Sequence, residues 1–393
     1  MQSGKNKIVE KAPRLYNEPP NGEKRQTGTL RTKKINTLRH METKRQKVAS
    51  LWKDCFGDSD EFIQFYFDHK YSDENALLHE ENGQPVAALQ MLPYPMTWAG
   101  TTLCASYISG ACTLPEARNK GIMKQLLTEA FRTMYRRRID LSFLIPAEPW
   151  LYEYYRKTGY APVFEYTPET AIPPAPATEP AALDVPSGYT GTLVNRCYPY
   201  FNRAMQKRDN CIQHPIDDFS AILQDLYANG GKLLIATSRT APPEITGLAF
   251  AVPAKGVTRI TELLGESPEI RAQLLHAASR QDEGKPVACK LPVQKGKNEK
   301  GGMARIVHAG NMLARFAAHH PQADFTLQLT DPLLPDNDGY YTVAGGTCSK
   351  SENIKKEACF HMDIALLTQA LLGGLPGSPV FSLRHPYLSL MLD

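Results

Sequence analysis

No stretch of this sequence approaches the roughly 18 consecutive apolar residues that a membrane-spanning helix needs, so none is expected. The N-terminus has no apolar core of the kind a secretory leader carries, and a leader is not expected either. The eight cysteines (Cys55, Cys104, Cys112, Cys197, Cys211, Cys289, Cys348 and Cys359) include no C-x-x-C pair, and a chain of 393 residues does not need a disulfide framework. Free thiols in a reducing cytoplasm are the expectation. The ten histidines show neither H-x-x-x-H nor H-E-x-x-H spacing, which leaves a metal site without support. What is present is ordinary globular composition, 42% hydrophobic and 22% charged, at a length that suits two or three domains.

The charge is unevenly placed. Residues 1–40 hold ten Lys/Arg against three Glu, a net +7, whereas the whole chain carries +4, so the remainder is −3. This basic, Pro-containing tail has no sustained period and reads as disordered. It could be an arm for nucleic acid or a membrane surface, or an appendage ahead of Met41.

From Val48 the spacing of Val48, Leu51, Trp52, Cys55 and Phe56 predicts an amphipathic helix, and "DEFIQFYFDH" a second. An antiparallel meander follows: "ALLHE", a turn at Asn82-Gly83, "PVAALQMLPYPM", a turn near Ala99-Gly100, and "TTLCASYISGACTL". Ile122, Leu126, Ala130 and Met134 form a helical stripe, and "LSFLIPA" and "VFEYTP" read as strands. The Pro- and Ala-rich residues 167–187 read as a linker without regular structure. A second unit is predicted over 188–293, with helices in "DFSAILQDLYANG" and "SPEIRAQLLHAASR" and strands in "KLLIATS", "EITGLAFAVPA" and "PVACKLPV". The lysine-rich 294–302 is another boundary. A last unit over 302–393 opens with "ARIVHAGNMLARFAAHH" read as a helix and closes on the apolar "YLSLMLD".

The segment Arg118-Asn119-Lys120-Gly121-Ile122-Met123 stands at a strand–loop–helix junction. The first N–H groups of a helix lack internal partners, and the dipole adds partial positive charge there. A pyrophosphate can accept those donors. Gly121 permits close approach of the backbone, and Arg118 and Lys120 add full charges.

With "TLPEARNKGIMKQLL" followed by "YYRKTGYAPV", the sequence resembles the GNAT family of acetyl-CoA-dependent N-acetyltransferases, and within it the branch named for the enhanced intracellular survival protein. The R-x-x-G-x-x loop is similar to that family's acetyl-CoA motif, although Met123 stands where the family often has Gly or Ala. The resemblance implies an α/β (α+β) chain of tandem GNAT-like domains, with mixed, mostly antiparallel sheets and flanking helices, and a C-terminal sterol-carrier-protein-like α+β domain. The divisions are a tail (1–40), a GNAT domain (41–166), a linker (167–187), a degenerate GNAT-like domain without a phosphate loop (188–293) and the sterol-carrier-like domain (302–393).

The resemblance further implies direct transfer from acetyl-CoA to a primary amine of a small molecule or lysine side chain, with no metal. Arg118, Asn119, Lys120, Gly121, Ile122 and Met123 would grip the pyrophosphate. Ala111, Cys112 and Thr113 would pair with the pantetheine arm, and Ala147 and Glu148 would border it. Tyr155 would be the acid, with Tyr152 and Tyr154 as rivals by proximity and Tyr160 as packing. Cys112 also invites a reading as an acyl-carrying nucleophile, which this chemistry does not need. The branch uses the chain's own terminal carboxylate as base, here at Asp393, through either its α-carboxylate or its side chain. A cytoplasmic homo-oligomer, in the branch often a hexamer, is expected, with no membrane partner and nucleic acid only through the basic tail. The other class of function open to this sequence is a non-enzymatic lipid- or small-molecule-binding protein that uses the last domain.

Overall fold

The structure is a computed structural model that describes residues 42–294, 297–352 and 360–392. The basic tail of residues 1–40 and Asp393 lie outside the described residues.

Helix α1 (Lys44–Phe56) starts with a capping box: the Thr43 hydroxyl accepts the Gln46 N–H and the Gln46 side chain accepts the Thr43 N–H. Helix α2 (Asp60–Lys70) is capped by Ser59. The apolar faces of the two helices, including Leu51, Trp52, Phe62 and Tyr66, bury onto a sheet. That sheet begins as the expected meander of β1 (Ala76–Glu81), β2 (Gln84–Trp98) and β3 (Thr101–Thr113). Its turns fall at Asn82-Gly83 and Ala99-Gly100, all four residues having positive φ. Helix α3 (Ile122–Arg136) packs on the opposite face and leads into β4 (Leu141–Leu144), parallel to β3. Helix α4 (Pro149–Arg156) and β5 (Ala161–Ala171) follow.

The second unit holds β6 (Ala182–Asp184), α5 (Gly191–Gln206), β7 (Cys211–Ile212), α6 (Ile216–Ala228), β8 (Lys232–Thr237), β9 (Ile245–Ala254), β10 (Val257–Gly265), α7 (Pro268–Gln281) and β11 (Val287–Leu291). The chain then returns. Strand β12 (Glu299–Ile306) enters the first unit and fills the gap between β4 and β5, antiparallel to both. The last unit is α8 (Ala309–His319), β13 (Phe325–Thr330), β14 (Gly339–Ala344), β15 (Thr347–Ser351), β16 (Phe360–Asp363) and α9 (Ile364–Thr368). One twelve-stranded sheet runs β1-β2-β3-β4-β12-β5-β11-β10-β9-β8-β6, with β7 beside β2, and a four-stranded sheet runs β15-β14-β13-β16.

Two segments differ from the sequence reading. "ARIVH" is not the start of the last helix. Residues through Ile306 are strand, and the helix begins at Ala309 behind a His308 cap. Gly301 is half-buried, and every residue from Gly302 to Val307 is buried in the middle of the large sheet. An apolar run hidden on both faces has no two-residue alternation to betray it as strand. The Pro/Ala-rich stretch does hold regular structure. β5 pairs with β12 up to Tyr166 and then with β11 over Thr167–Ala171, while β6 pairs with β8. Over 167–171 the strand has β11 as its one described partner, and such edge positions are where Pro168 is tolerated.

Candidate active site

Strands β3 and β4 are parallel but pair only over Ala105–Tyr107 and Leu141–Phe143. Beyond Tyr107, β3 continues for six residues beside β2 alone, and β4 stops at Leu144. The sheet therefore parts here. A β-bulge sets the shape of the free half: Gly110 and Ala111 together oppose Leu89. Gly110 has φ +58°, and a Cβ there would stand 2.5 Å from the Trp52 ring. Glycine is thus required on two counts. Side chains alternate along the freed edge. Ala111 is half-buried with Met123 and Leu114 in the core under α3, whereas Cys112 is buried in the opposite core, beside Cys55. Cys112 points away from the α3 face, and the hydrogen bond with the Cys55 thiol, with burial adding to it, pushes its own thiol well up. Both findings speak against a nucleophile there.

The loop from Thr113 to Ile122 delivers the head of α3 to this opening. Asn119 (φ 62°) and Gly121 (φ 79°) are both left-handed. No side chain caps the helix, and its first turn contains no acidic residue. Among the described residues the backbone N–H groups of 119–124 have no hydrogen-bond partner; the first that does is Gln125, to the Gly121 carbonyl at 3.1 Å. A Cβ on Gly121 would meet nothing within 4 Å, so the space over these amides is open. A run of unpaired donors with an open approach and the positive end of a helix suits an anion such as a pyrophosphate. Arg118 and Lys120 are exposed beside it. The Arg118 guanidinium donates to the Thr113 carbonyl at 3.1 Å, and Lys120 pairs with Glu81 at 3.1 Å. Surface pairs of this kind are weak and exchange readily with a bound anion.

Tyr155 lies on α4 and is buried to 8% exposure in the same core as Ile122, Leu126 and Leu144, with Ala111 and Met123 packed against it. No side-chain hydrogen bond among the described residues perturbs its hydroxyl. Burial raises its pKa, with the neighbouring Tyr154 adding to the effect, so the phenol stays protonated. Tyr160 is fully buried and its hydroxyl is bound to Ser142 at 2.7 Å, which fits packing. Tyr152 and Tyr154 are half-buried in the same cluster. Ala147 is exposed and Glu148 half-buried at the start of α4. The structure therefore gathers Ala111, Ile122, Met123 and Tyr155 at one place, with the 118–121 loop at its rim.

Sequence reasoning missed what holds Tyr155 there. The Tyr155 carbonyl accepts the Thr158 N–H and hydroxyl. The Thr158 carbonyl accepts Arg305 Nε at 3.0 Å. Arg305, on the inserted β12, is wholly buried, lies over the Phe131 ring, and pairs with Asp331 of the last unit at 2.6 Å. Asp331 in turn accepts the Leu334 N–H and the Asn337 side chain. A buried ion pair survives only when its remaining hydrogen-bonding capacity is met in this way. One cue was in the sequence: Gly159 of "RKTGY", where a Cβ would stand 2.7 Å from Ile364 and 3.0 Å from Arg305 Nε.

Residues 37–163 match the family model described as acetyltransferase (GNAT) domain, and residues 311–378 the one described as sterol carrier protein domain. The chain thus carries a GNAT acetyltransferase domain. A search of curated protein sequences returns no match. Among solved structures, Eis1 from Mycobacterium abscessus superposes with a TM-score of 0.66 at 15% identity, over 88% of this chain and 97% of its own. A GCN5-related N-acetyltransferase from Kribbella flavida gives 0.67 at 17%, over 88% and 95%. A conserved protein of unknown function from Enterococcus faecalis, described as a probable N-acyltransferase, gives 0.67 at 17%, over 84% and 88%. At these identities the neighbours establish fold: an Eis-like arrangement of the GNAT unit, a mostly antiparallel sheet and a sterol-carrier-like last unit. No described helix of the chain is long and apolar enough to cross a membrane.

Proposed function

We propose that this GNAT protein moves an acetyl group from acetyl-CoA directly to a primary amine of a small molecule or a lysine side chain. The observation that carries the reading is the run of unpaired amides at 119–124, set where β3 and β4 part. There the pyrophosphate would lie on the head of α3, with Arg118 and Lys120 around it. The pantetheine arm would run along the free edge of β3 at Ala111–Thr113, bordered by Ala147 and Glu148.

Holding two reactants in attack geometry is the largest saving open to such a reaction. The amine nitrogen forms a bond to the thioester carbonyl carbon, the C–S bond breaks, and the departing thiolate takes the Tyr155 phenol proton. The amine's surplus proton goes to a carboxylate, which we assign to the chain terminus at Asp393. Cytoplasmic location and assembly as a homo-oligomer belong to the same proposal.

The test is free-thiol release from acetyl-CoA across a panel of primary amines, with the full chain, Tyr155→Phe, and a chain lacking the last four residues. Turnover with one amine class that is lost in both variants supports the assignment. Absence of both turnover and acetyl-CoA binding would overturn it in favour of a lipid-binding role for the last unit.

A further inference from the structure

The second unit repeats the layout of the first. The meander β8-β9-β10 leads through α7 to β11, which is parallel to β10 just as β4 is parallel to β3. The bulge recurs too, on the corresponding strand: Thr261 of β10 is the extra residue between Ile260 and Glu262. Bulges re-aim the side chains beside them. Here the neighbour is Glu262, a carboxylate at 1% exposure. It accepts both terminal nitrogens of Arg208, each at 2.9 Å, and the hydroxyl of Ser389 at 2.6 Å. Ser389 belongs to the last residues of the chain.

Those residues are bound to the second unit at every step. The Tyr387 N–H donates to the Asn210 carbonyl at 2.8 Å, and the Ile212 N–H donates to the Tyr387 carbonyl at 3.1 Å. Arg208 lies over the Tyr387 ring, and the Tyr387 hydroxyl reaches the Lys290 carbonyl at 3.0 Å. His214 Nε2 donates to the Ser389 carbonyl at 3.0 Å, while its Nδ1 bonds to Asp218. Burial, with the nearby Lys70 charge, lowers the His214 pKa to about 3, so the imidazole is neutral and Nε2 carries its proton toward Ser389. Lys70, on α2 of the first unit, pairs with the other Asp218 oxygen and donates to the Tyr94 hydroxyl. The next residue, Leu390, has φ +57°, a strained conformation for leucine that surrounding contacts must impose.

The segment also leads to the right place. Leu388 and the Leu144 carbonyl, at the end of β4, both crowd Gly302, where a Cβ would stand 2.9 Å and 3.0 Å from them. Leu392 is buried in the core cluster that spans all three units.

We propose that the second unit is a dock for the chain's own C-terminal segment, in which Glu262 and His214 grip Ser389 and so position the terminus for catalysis in the first unit. Glu262 and His214 are positioning residues. Their catalytic consequence rests on the terminal-base reading above; the docking itself does not.

The experiment uses the full chain with Ser389→Ala and His214→Gln, and the same changes in a chain lacking the last four residues. Hydrogen exchange is followed over residues 387–392. The expected result is loss of protection confined to that segment, with α6 and β10 still protected. Protection that stays at the wild-type level would overturn the dock. In turnover, kcat should fall by up to about 10²-fold with the KM for acetyl-CoA unchanged, as expected when geometry is lost by about an ångström. That fall should vanish in the shortened chain, because the residues act only through the terminus. An equal fall in both backgrounds would overturn the positioning role. A shortened chain as active as the full one would overturn the terminal base while leaving the exchange result to decide the dock.

Discussion

Helices α3 and α7 occupy the same place in two copies of one arrangement, yet their N-termini are finished in opposite ways. The head of α7 is closed. Ser267 caps it by accepting the Ile270 N–H, Pro268 stands where an N–H would otherwise be free, and Glu269 puts a negative charge in the first turn. The head of α3 has none of these, and its loop carries Arg118, Lys120 and two left-handed residues. Beyond the parallel strand the copies part again: β4 leads to α4 and Tyr155, while β11 is followed by the return strand β12. The difference between the two copies lies in how the helix start is finished, because the strand–helix–strand layout is common to both.

The largest expected effect comes from closing the open copy. Gly121→Trp should weaken acetyl-CoA binding on the order of 10²-fold, about 3 kcal/mol, in calorimetry. The fold should survive, since the new side chain starts in open space and the left-handed backbone costs only about 1–2 kcal/mol. Unchanged affinity would mean that the two helix heads do not differ in the way their caps suggest.

Next is Tyr155→Phe, for which kcat should fall about 10²-fold with acetyl-CoA affinity retained. Because the Tyr155 pKa is raised, its acid form persists to higher pH than that of a free phenol. The wild-type rate should therefore show no loss from Tyr155 ionisation below pH ~10. A tyrosine-dependent alkaline limb nearer neutrality, absent from the phenylalanine variant, would contradict this.

Gly110→Ala should cost about 2 kcal/mol in urea unfolding, through the clash with Trp52 and the positive φ. The second copy has Thr261 at its bulge, and Thr261→Ala should cost far less. The smallest effect is expected for Ser267→Ala: about 1 kcal/mol of stability and no change in acetyl-CoA affinity.

The meander, the α3 stripe and the 118–121 loop were legible because each is written locally. Turn residues stand at Asn82-Gly83, apolar residues recur at helical spacing, and a glycine stands at a helix start. Helix α5 was missed: it carries Pro199 in its interior, a residue that helix interiors seldom hold. The Arg305–Asp331 pair and the grip on Ser389 were out of reach, because their partners lie far apart in sequence and meet only through topology. Glu262 gave no signal at all. It reads as one more charge in a strand, and only the bulge turns it inward.

The placement of β12 also bears on how the molecule is made. A ribosome releases β4 and β5 first, then the whole second unit, and only afterwards the strand that joins them. Until Ile306 has emerged, the acetyltransferase sheet stands open, with two facing edges offering unpaired N–H and C=O groups and with Tyr155 lacking the Arg305 anchor. The GNAT unit, synthesised before the second unit, is thus finished after it, and a nascent chain stalled before β12 would expose adhesive strand edges of the kind that holding chaperones cover.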